Sequence, residues 1–580
     1  MKLPSAFGRP ASAEGSSERE SPSIMNGARL LVRGLKQEGV EQIFSLSGDH
    51  INPIYDACLD FRVRIIDTRH EAAAALMADA WARVTGRPGV FVVTGGPGHT
   101  NALTGIATAF LQGCPVVAIS GAPETFLKNQ GAFQELDQLS LVRPITKWAA
   151  VVTDPRQIPE HVATAFREAV SGRPGPVHLT IPIDVLSRDA GQVPLASPHA
   201  GIPHPSFEGG PDLIQEALAL LRQAERPILI AGSGAWWAQA GSELEQFVEM
   251  TRIPLFTIGL ARGLISDDHP LCFGYADPLL NEVAKEFVHA DVICILGKRV
   301  DYRLAFGGPG LFDPRTRIIQ VDIHAAEIGR NRQVDVKIAA DARTFLAACV
   351  VQVGEPWPER PWLGHLSRVA QSWRTALEAG ETSAEIPIHP LRLCRELREV
   401  LPPEATVAID AGDFLQWARI ALPSRRPGRW LRLGPLGTLG AAIPFGIAAK
   451  LARPRELVVV VTGDGGFGYH GLELHTALRH DLPIVVVIGN DGAMGMERQI
   501  QKALYGPDRV VGCELGLVHY EKMVEALGGH GEFVEAPDEI RPALLRAFDA
   551  GRPACVNVMI RDVPSPLAEV SIANKRALMQ

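Results

Sequence analysis

Short runs of aliphatic and β-branched residues alternate along this chain with longer amphipathic stretches. From about Asn26 the apolar positions of ARLLVRGLKQEG recur at helical spacing. VEQIFSLSG then reads as a strand ending at Gly48. A helix from about Ile51, a strand over VRIIDT and a helix over HEAAAALMADAWARVTG follow. GVFVVT and PVVAISG are apolar almost throughout and end in glycine, with the helix LTGIATAFLQG between them. Strands apolar on both faces, joined by helices, predict parallel sheets with crossover connections.

The pattern occurs three times. The first block, residues 25–190, closes near PVHLTIPIDVL. Residues 191–210, with Pro194, Pro198, Pro203 and Pro205, read as a linker. The second block, 211–355, contains PILIAGSG, DVICILG and RIIQVDI. Residues 356–386, with three prolines leading into a helix, form a second linker, and the third block spans 387–563. The expected fold is α/β, three open parallel-sheet domains with helices on both faces. Ligands of such sheets gather at the carboxyl ends of the strands. Residues 1–24 are rich in Ser, Gly, Pro and Glu and read as a disordered leader; the tail 564–580 is a candidate lid.

Composition narrows the function. The 580 residues are 46% hydrophobic and 21% charged, enough apolar material for several cores. A net charge of −8 argues against a general nucleic-acid binder. Eight scattered cysteines with no CxxC pair fit a reducing, cytoplasmic compartment better than a disulfide framework. The long apolar runs carry Asp464, His475 and Arg479, so no membrane span is expected.

The strongest chemical signal is VVVTGDGG at 459–466, followed after PIVVVIG by Asn490-Asp491. Gly463 and Gly465 permit a tight turn at a strand end, and Asp464 offers a carboxylate there. Residues 466–489 are the right length for a helix and a returning strand, which brings Asn490 to the adjacent strand end. An Asp oxygen, an Asn oxygen and a backbone carbonyl form a hard-oxygen set suited to Mg²⁺ on phosphate.

On these residues the chain resembles the thiamine-diphosphate enzymes that include acetolactate synthases, 2-hydroxyacyl-CoA lyases and benzaldehyde lyase. Their signature is GDG followed by Asn-Asn about two dozen residues on; here the second Asn is Asp491. The resemblance implies Mg²⁺ held by Asp464, Asn490 and the Gly492 carbonyl. It continues through RHEAAAALMADAWARVTGRPGVFVVTGGPGHTN, which implies that Glu71 is the acid that drives the cofactor's aminopyrimidine. It places Leu439, in GPLGTLGAAIPFG, beneath the bend of the cofactor. Gly437, Gly463, Gly465, Gly466 and Met494 complete the expected cofactor contacts. Because Glu71 and Asp464 lie in different blocks, the family arrangement implies at least a homodimer, commonly a tetramer.

The reaction centre reads as a mixture of relatives. His50 stands where benzaldehyde lyase carries a proton-moving histidine and acetolactate synthases do not. Gln134, beside Phe133, matches an active-site Gln. Glu497 and Ile500 replace residues of the acetolactate-synthase pattern GMVxQW, and Glu497 is a candidate proton relay. For the central domain the resemblance leaves ADP, FAD or no ligand open, with Arg299, Arg303 and Asp322 as candidate contacts. Arg425, Arg426, Arg429 and Arg432 form a basic run that suits CoA phosphates. Together these features favour cleavage of a 2-hydroxyacyl-CoA thioester to formyl-CoA and a carbonyl compound, or the reverse. Carboligation of small CoA-free 2-keto acids or aldehydes, of acetolactate-synthase or benzaldehyde-lyase type, is the alternative.

Overall fold

A computed structural model describes residues 25–198 and 209–579. The expected leader and residues 199–208 of the first linker lie outside the described residues. The leading domain carries β1 (Gln42–Ser45), β2 (Arg64–Asp67), β3 (Gly89–Val93), β4 (Val116–Ala122), β5 (Trp148–Val151) and β6 (Val177–Pro182). The central domain carries β7 (Pro227–Ala231), β8 (Leu255–Thr257), β9 (Cys272–Tyr275), β10 (Val292–Leu296), β11 (Arg317–Asp322) and β12 (Val336–Ala339). The trailing domain carries β13 (Thr406–Ile409), β14 (Trp430–Arg432), β15 (Val458–Gly463), β16 (Val485–Asn490), β17 (His530–Val534) and β18 (Ala554–Met559).

All three sheets are parallel and six-stranded. The leading order is β2-β1-β3-β4-β6-β5, and the trailing order, β14-β13-β15-β16-β18-β17, repeats it. The central order is β12-β11-β10-β7-β8-β9, the doubly wound dinucleotide-binding arrangement. The winding reverses between β1 and β3, between β13 and β15, and between β7 and β10. Connections there leave on opposite faces, so each reversal opens a crevice at the carboxyl ends. Gly48 and Thr94 follow the first pair of strands, Asp410 and Asp464 the second, Gly232 and Gly297 the third.

Leading and trailing domains pack on one another through small residues. The helix Glu71–Thr85 is buried on nearly every side and lies against the helix Ala442–Ala452. Arg83, fully buried between them, donates through Nε to Asp79 Oδ1 at 2.8 Å and through Nη1 to the Arg432 carbonyl. Its guanidinium lies 4.7 Å from the centre of the Phe445 ring. A buried pair with a cross-domain hydrogen bond fixes the relative position of the two helices.

Two segments outside the three sheets are helical. Most of the second linker is a helix, Pro361–Glu381, with Trp362 and Leu366 buried and Glu381 bonded to Arg398 at 2.7 Å. The tail forms the helix Pro566–Met579 against the helix Gly495–Tyr505. Ser565 N donates to Asp413, and Trp417 Nε1 donates to the Val563 carbonyl at 3.0 Å. Among the described residues no helix is long and apolar enough to cross a membrane. All eight cysteines are buried and free.

Candidate functional site

The residues singled out in the sequence gather in two places. The leading group lies at the crevice between β1 and β3. Glu71 opens its helix, where the N-terminal dipole favours a carboxylate. His70 supplies the cap, accepting from Ala72 N at 3.1 Å. Glu71 is 8% exposed and its Oε2 accepts from Asn101 Nδ2 at 2.9 Å. A β-carbon on Gly98 would stand 3.6 Å from Glu71 Oε1, so the following helix start also borders the carboxyl.

His50 is buried, with Nδ1 3.1 Å from Thr94 Oγ1. Burial lowers its pKa, against the raising influence of Asp49, Glu124 and Gln134. A β-carbon on Gly121 would come within 2.6 Å of the His50 β-carbon, so only glycine lets the histidine settle there. Gln134 holds a left-handed backbone, φ 63°, and its buried side-chain amide reaches the His50 ring. That conformation is rare for a side chain as large as glutamine and marks a position fixed by its surroundings. Phe133 beside it is 78% exposed and belongs to no core.

The trailing group surrounds a cavity of about 560 Å³ at the crevice between β13 and β15. Leu439, Gly463, Asp464, Gly465, Gly466, Met494 and Glu497 all line it. Asp464 is 2% exposed, and its Oδ2 has no hydrogen-bond partner. Burial pushes its pKa up to about 6, against the pull of the N–H groups of Gly465 and Ala493. An orphaned, buried carboxylate oxygen has the chemistry of a cation ligand.

Asn490 is fully buried; its Nδ2 donates to Val518 O and Asn557 Oδ1, which turns Oδ1 to Gly492 N at 3.1 Å. One lone pair of that oxygen stays available. The Gly492 carbonyl, the third expected ligand, already accepts from Leu515 N at 2.8 Å and Gly516 N at 3.0 Å. Both of its lone pairs are taken, so the segment around Leu515 must move before it can serve a metal. Gly437 is exposed and does not line the cavity. Asp491, the departure from Asn-Asn, pairs with Arg498 at 2.8 Å. Burial and the neighbouring Asp464 push its pKa up to about 7 despite that arginine.

Two acids escaped the sequence reading. Asp410, at the end of β13, is fully buried and accepts from Gly440 N at 2.8 Å and Thr462 Oγ1 at 3.1 Å. It ties the Leu439 segment to the strand that carries Asp464, and burial raises its pKa to about 6. Asp413 accepts from Gln499 Nε2 at 3.0 Å and anchors Ser565. The signal was present in VAIDAGDF, two acids just past a buried strand, but such acids equally well serve as turn or cap residues.

Within one chain the two groups do not share a cavity: no residue of the leading domain lines the trailing one. They are nevertheless linked from behind. His70 and His470 have ring centres 6.2 Å apart, Arg69 N donates to Glu473 at 2.9 Å, and His470 Nδ1 lies 3.0 Å from the Gly440 carbonyl.

A third cavity, with about 1400 Å³ of empty space, opens where the three domains meet and is lined by Gly234, Gly297, Arg299, Arg303, Asp322 and Arg432 among others. Arg299 donates to the Leu111 carbonyl at 2.8 Å and Arg303 to Asp277 at 2.9 Å. The basic run expected to meet CoA does not form a patch. Arg425 pairs with Asp268, Arg426 with Glu404 and Arg429 with Glu456, while Arg432 turns into the three-domain cavity. Each of these three arginines has a nearby acid, which the local sequence did not reveal.

Comparison with known proteins agrees with this layout. The thiamine pyrophosphate enzyme models match as N-terminal TPP binding domain over residues 25–141, central domain over 214–349 and C-terminal TPP binding domain over 410–558. The acetolactate synthase large subunit IlvG of Mycobacterium tuberculosis is 37% identical over 547 residues, covering 94% of this chain and 97% of that protein. A probable acetolactate synthase large subunit of Methanocaldococcus jannaschii is 35% identical, covering 92% of each. The human 2-hydroxyacyl-CoA lyase 2 is 32% identical, covering 93% of this chain and 91% of the relative.

Proposed function

The chain belongs to the thiamine pyrophosphate enzyme family of carbon–carbon lyases and carboligases, and on that premise we propose that it joins small CoA-free 2-oxo acids or aldehydes. The observation that carries this choice is that Arg425, Arg426 and Arg429, the run the sequence offered to CoA phosphates, are each paired with a nearby acid. The higher identity to acetolactate synthases than to acyl-CoA lyases supports it. Cleavage of 2-hydroxyacyl-CoA is the second reading, favoured by His50 and by the Glu497 and Ile500 departures.

When bound, thiamine diphosphate supplies a thiazolium that stabilises negative charge on the carbon whose bond forms or breaks. Asp464 Oδ2 and Asn490 Oδ1 would hold Mg²⁺ against its diphosphate. Leu439 would support its bend, and Glu71, oriented by Asn101, would hold and return the proton of the aminopyrimidine. The buried Glu71 carboxyl exchanges that proton away from bulk water. His50 would move the proton of the substrate hydroxyl, Gln134 would donate its amide to the carbonyl oxygen, and Glu497 would relay protons at the cavity.

A homodimer would bring Glu71 of one copy to Asp464 of the other. Support comes from the exposed apolar residues Phe126, Phe133, Tyr469, Leu472 and Leu517 on the same two regions. The three-domain cavity would take an adenosine diphosphate unit, as ADP or within FAD, with Asp322 at the ribose. Product analysis tests the main reading: purified protein with Mg²⁺, thiamine diphosphate and pyruvate should form acetolactate without CoA. Formyl-CoA from a 2-hydroxyacyl-CoA, with no product from pyruvate, would replace it by the second reading. An absorbance spectrum of the same preparation tests for flavin.

A further inference from the structure

Behind His50 the leading domain buries a set of polar groups that the chemistry above does not use. His99 and His178 are fully buried, with ring centres 5.0 Å apart and planes at 69°. His99 Nδ1 lies 3.0 Å from Ser120 Oγ, and His178 Nε2 lies 2.8 Å from Thr180 Oγ1. Gln138, 3% exposed, donates through Nε2 to the Gly121 carbonyl at 3.0 Å and to Thr180 Oγ1 at 3.4 Å. His99 Nε2, His178 Nδ1 and Gln138 Oε1 are buried without partners.

The direction of these bonds is fixed by chemistry. A carbonyl only accepts, so the Gln138 amide must turn its nitrogen to Gly121 and its oxygen away. Thr180 Oγ1 accepts from that nitrogen, which leaves its own proton for His178 Nε2. Burial holds the His178 pKa well below its ordinary value, so the ring stays neutral and can accept. The Gly121 carbonyl and Thr180 Oγ1, both accepting from Nε2, lock the amide.

The locked oxygen borders the same glycine as the His50 ring. A β-carbon on Gly95 would stand 3.3 Å from His50 Nδ1, 3.4 Å from Gln138 Oε1 and 3.0 Å from the Gly121 carbonyl, so the three atoms converge on one glycine. We propose that Gln138 is a positioning residue for His50, its fixed amide oxygen acting as the acceptor dipole beside Nδ1. That dipole keeps a proton on Nδ1, leaves Nε2 to take the substrate proton, and stabilises the imidazolium that results. Thr94 Oγ1 supplies the direct contact to Nδ1. Asp49, Glu124 and Gln134 are the other groups whose field or hydrogen bond reaches the ring. The inference rests on the proposed role of His50.

The test is the pH dependence of kcat/KM for carboligation by the holoenzyme, whose rising limb reports the free His50 base. Gln138→Glu places a carboxylate beside the ring and should move that limb up by about one pH unit. Gln138→Met removes the dipole and should move it down, and Thr180→Val, which frees the amide to turn, should move it down less. Hydrogen–deuterium exchange at C2 of bound thiamine diphosphate depends on Glu71 and should stay at the wild-type rate, which certifies folding and cofactor binding. Limbs that coincide, or that move the same way in the Glu and Met variants, overturn the role of Gln138. If His50→Gln keeps the wild-type limb, His50 is not the titrating base and both readings fall.

Discussion

The orphaned oxygen of Asp464 implies that the metal-free protein is less stable than it need be. Burial disfavours the charged form and raises its pKa to about 6 from an ordinary 3.8. For an acid with a raised folded-state pKa, the folded protein binds more protons than the unfolded chain between those two values. Stability therefore falls as pH rises through that window and is level above it. Two units correspond to about 3 kcal/mol of destabilisation at pH 7.5 that is absent near pH 4. Asp464→Asn is nearly isosteric and uncharged, and its unpartnered amide resembles the protonated acid in what it leaves unbonded. Without metal and cofactor, the variant should be more stable than the wild type at pH 7.5 by up to ~3 kcal/mol, several degrees in melting temperature. The gap should fall to about a third of that by pH 4.5. Adding Mg²⁺ with thiamine diphosphate should reverse the order, since only the wild type gains the stabilisation of ligand binding. Thermal denaturation of both proteins, at the two pH values and with and without ligand, gives all the numbers required. A variant less stable at pH 7.5 without ligand, or a gap unchanged at pH 4.5, would refute the account of Asp464 as a carboxylate held for a cation.

Three further outcomes are expected. Glu71→Gln should keep the fold and bind cofactor, yet slow C2 proton exchange by about 10²-fold or more, read by NMR; near-normal exchange removes Glu71 from its role. Glu71→Ala and Asp464→Ala proteins should each be inactive, whereas co-expression should restore about a quarter of wild-type activity if sites are shared between two symmetric copies. No recovery in an isolated mixed dimer would place both residues in one chain's site. Gly121→Ala forces a methyl group to 2.6 Å from the His50 β-carbon and should destabilise the protein by about 1–3 kcal/mol, with a larger loss of carboligation than of C2 exchange; equal losses would count against a role for His50 downstream of exchange.

How far the sequence could be read depended on what each residue must satisfy locally. The valine runs of β15 and β16 are buried on both faces and end at glycine, so the positions of Asp464 and Asn490 followed from pattern alone. Glu71 was legible because a strand, a cap and an alanine-rich helix bracket it. Edge strands were not: WLR in β14 and HGEFV in β17 carry too few apolar residues to stand out. Long-range partners were invisible for a different reason. Nothing near Arg425 in the sequence announces Asp268, and nothing near Gly492 announces the N–H groups of Leu515 and Gly516 that occupy its carbonyl. Gln138 carries no signal of its own in the sequence, because Gly121 and Thr180, which fix its amide, are distant along the chain.

The first and last sheets are wound in the same order, and each opens its crevice between the corresponding pair of strands. Such a match is the expected imprint of one ancestral module copied within a gene. On the roles proposed above the two copies would divide the labour, one carrying an acid suited to an organic ring and the other the oxygens suited to a cation. In the homodimer proposed above, two chains would assemble four copies of this winding, and each catalytic centre would be a meeting of unlike twins.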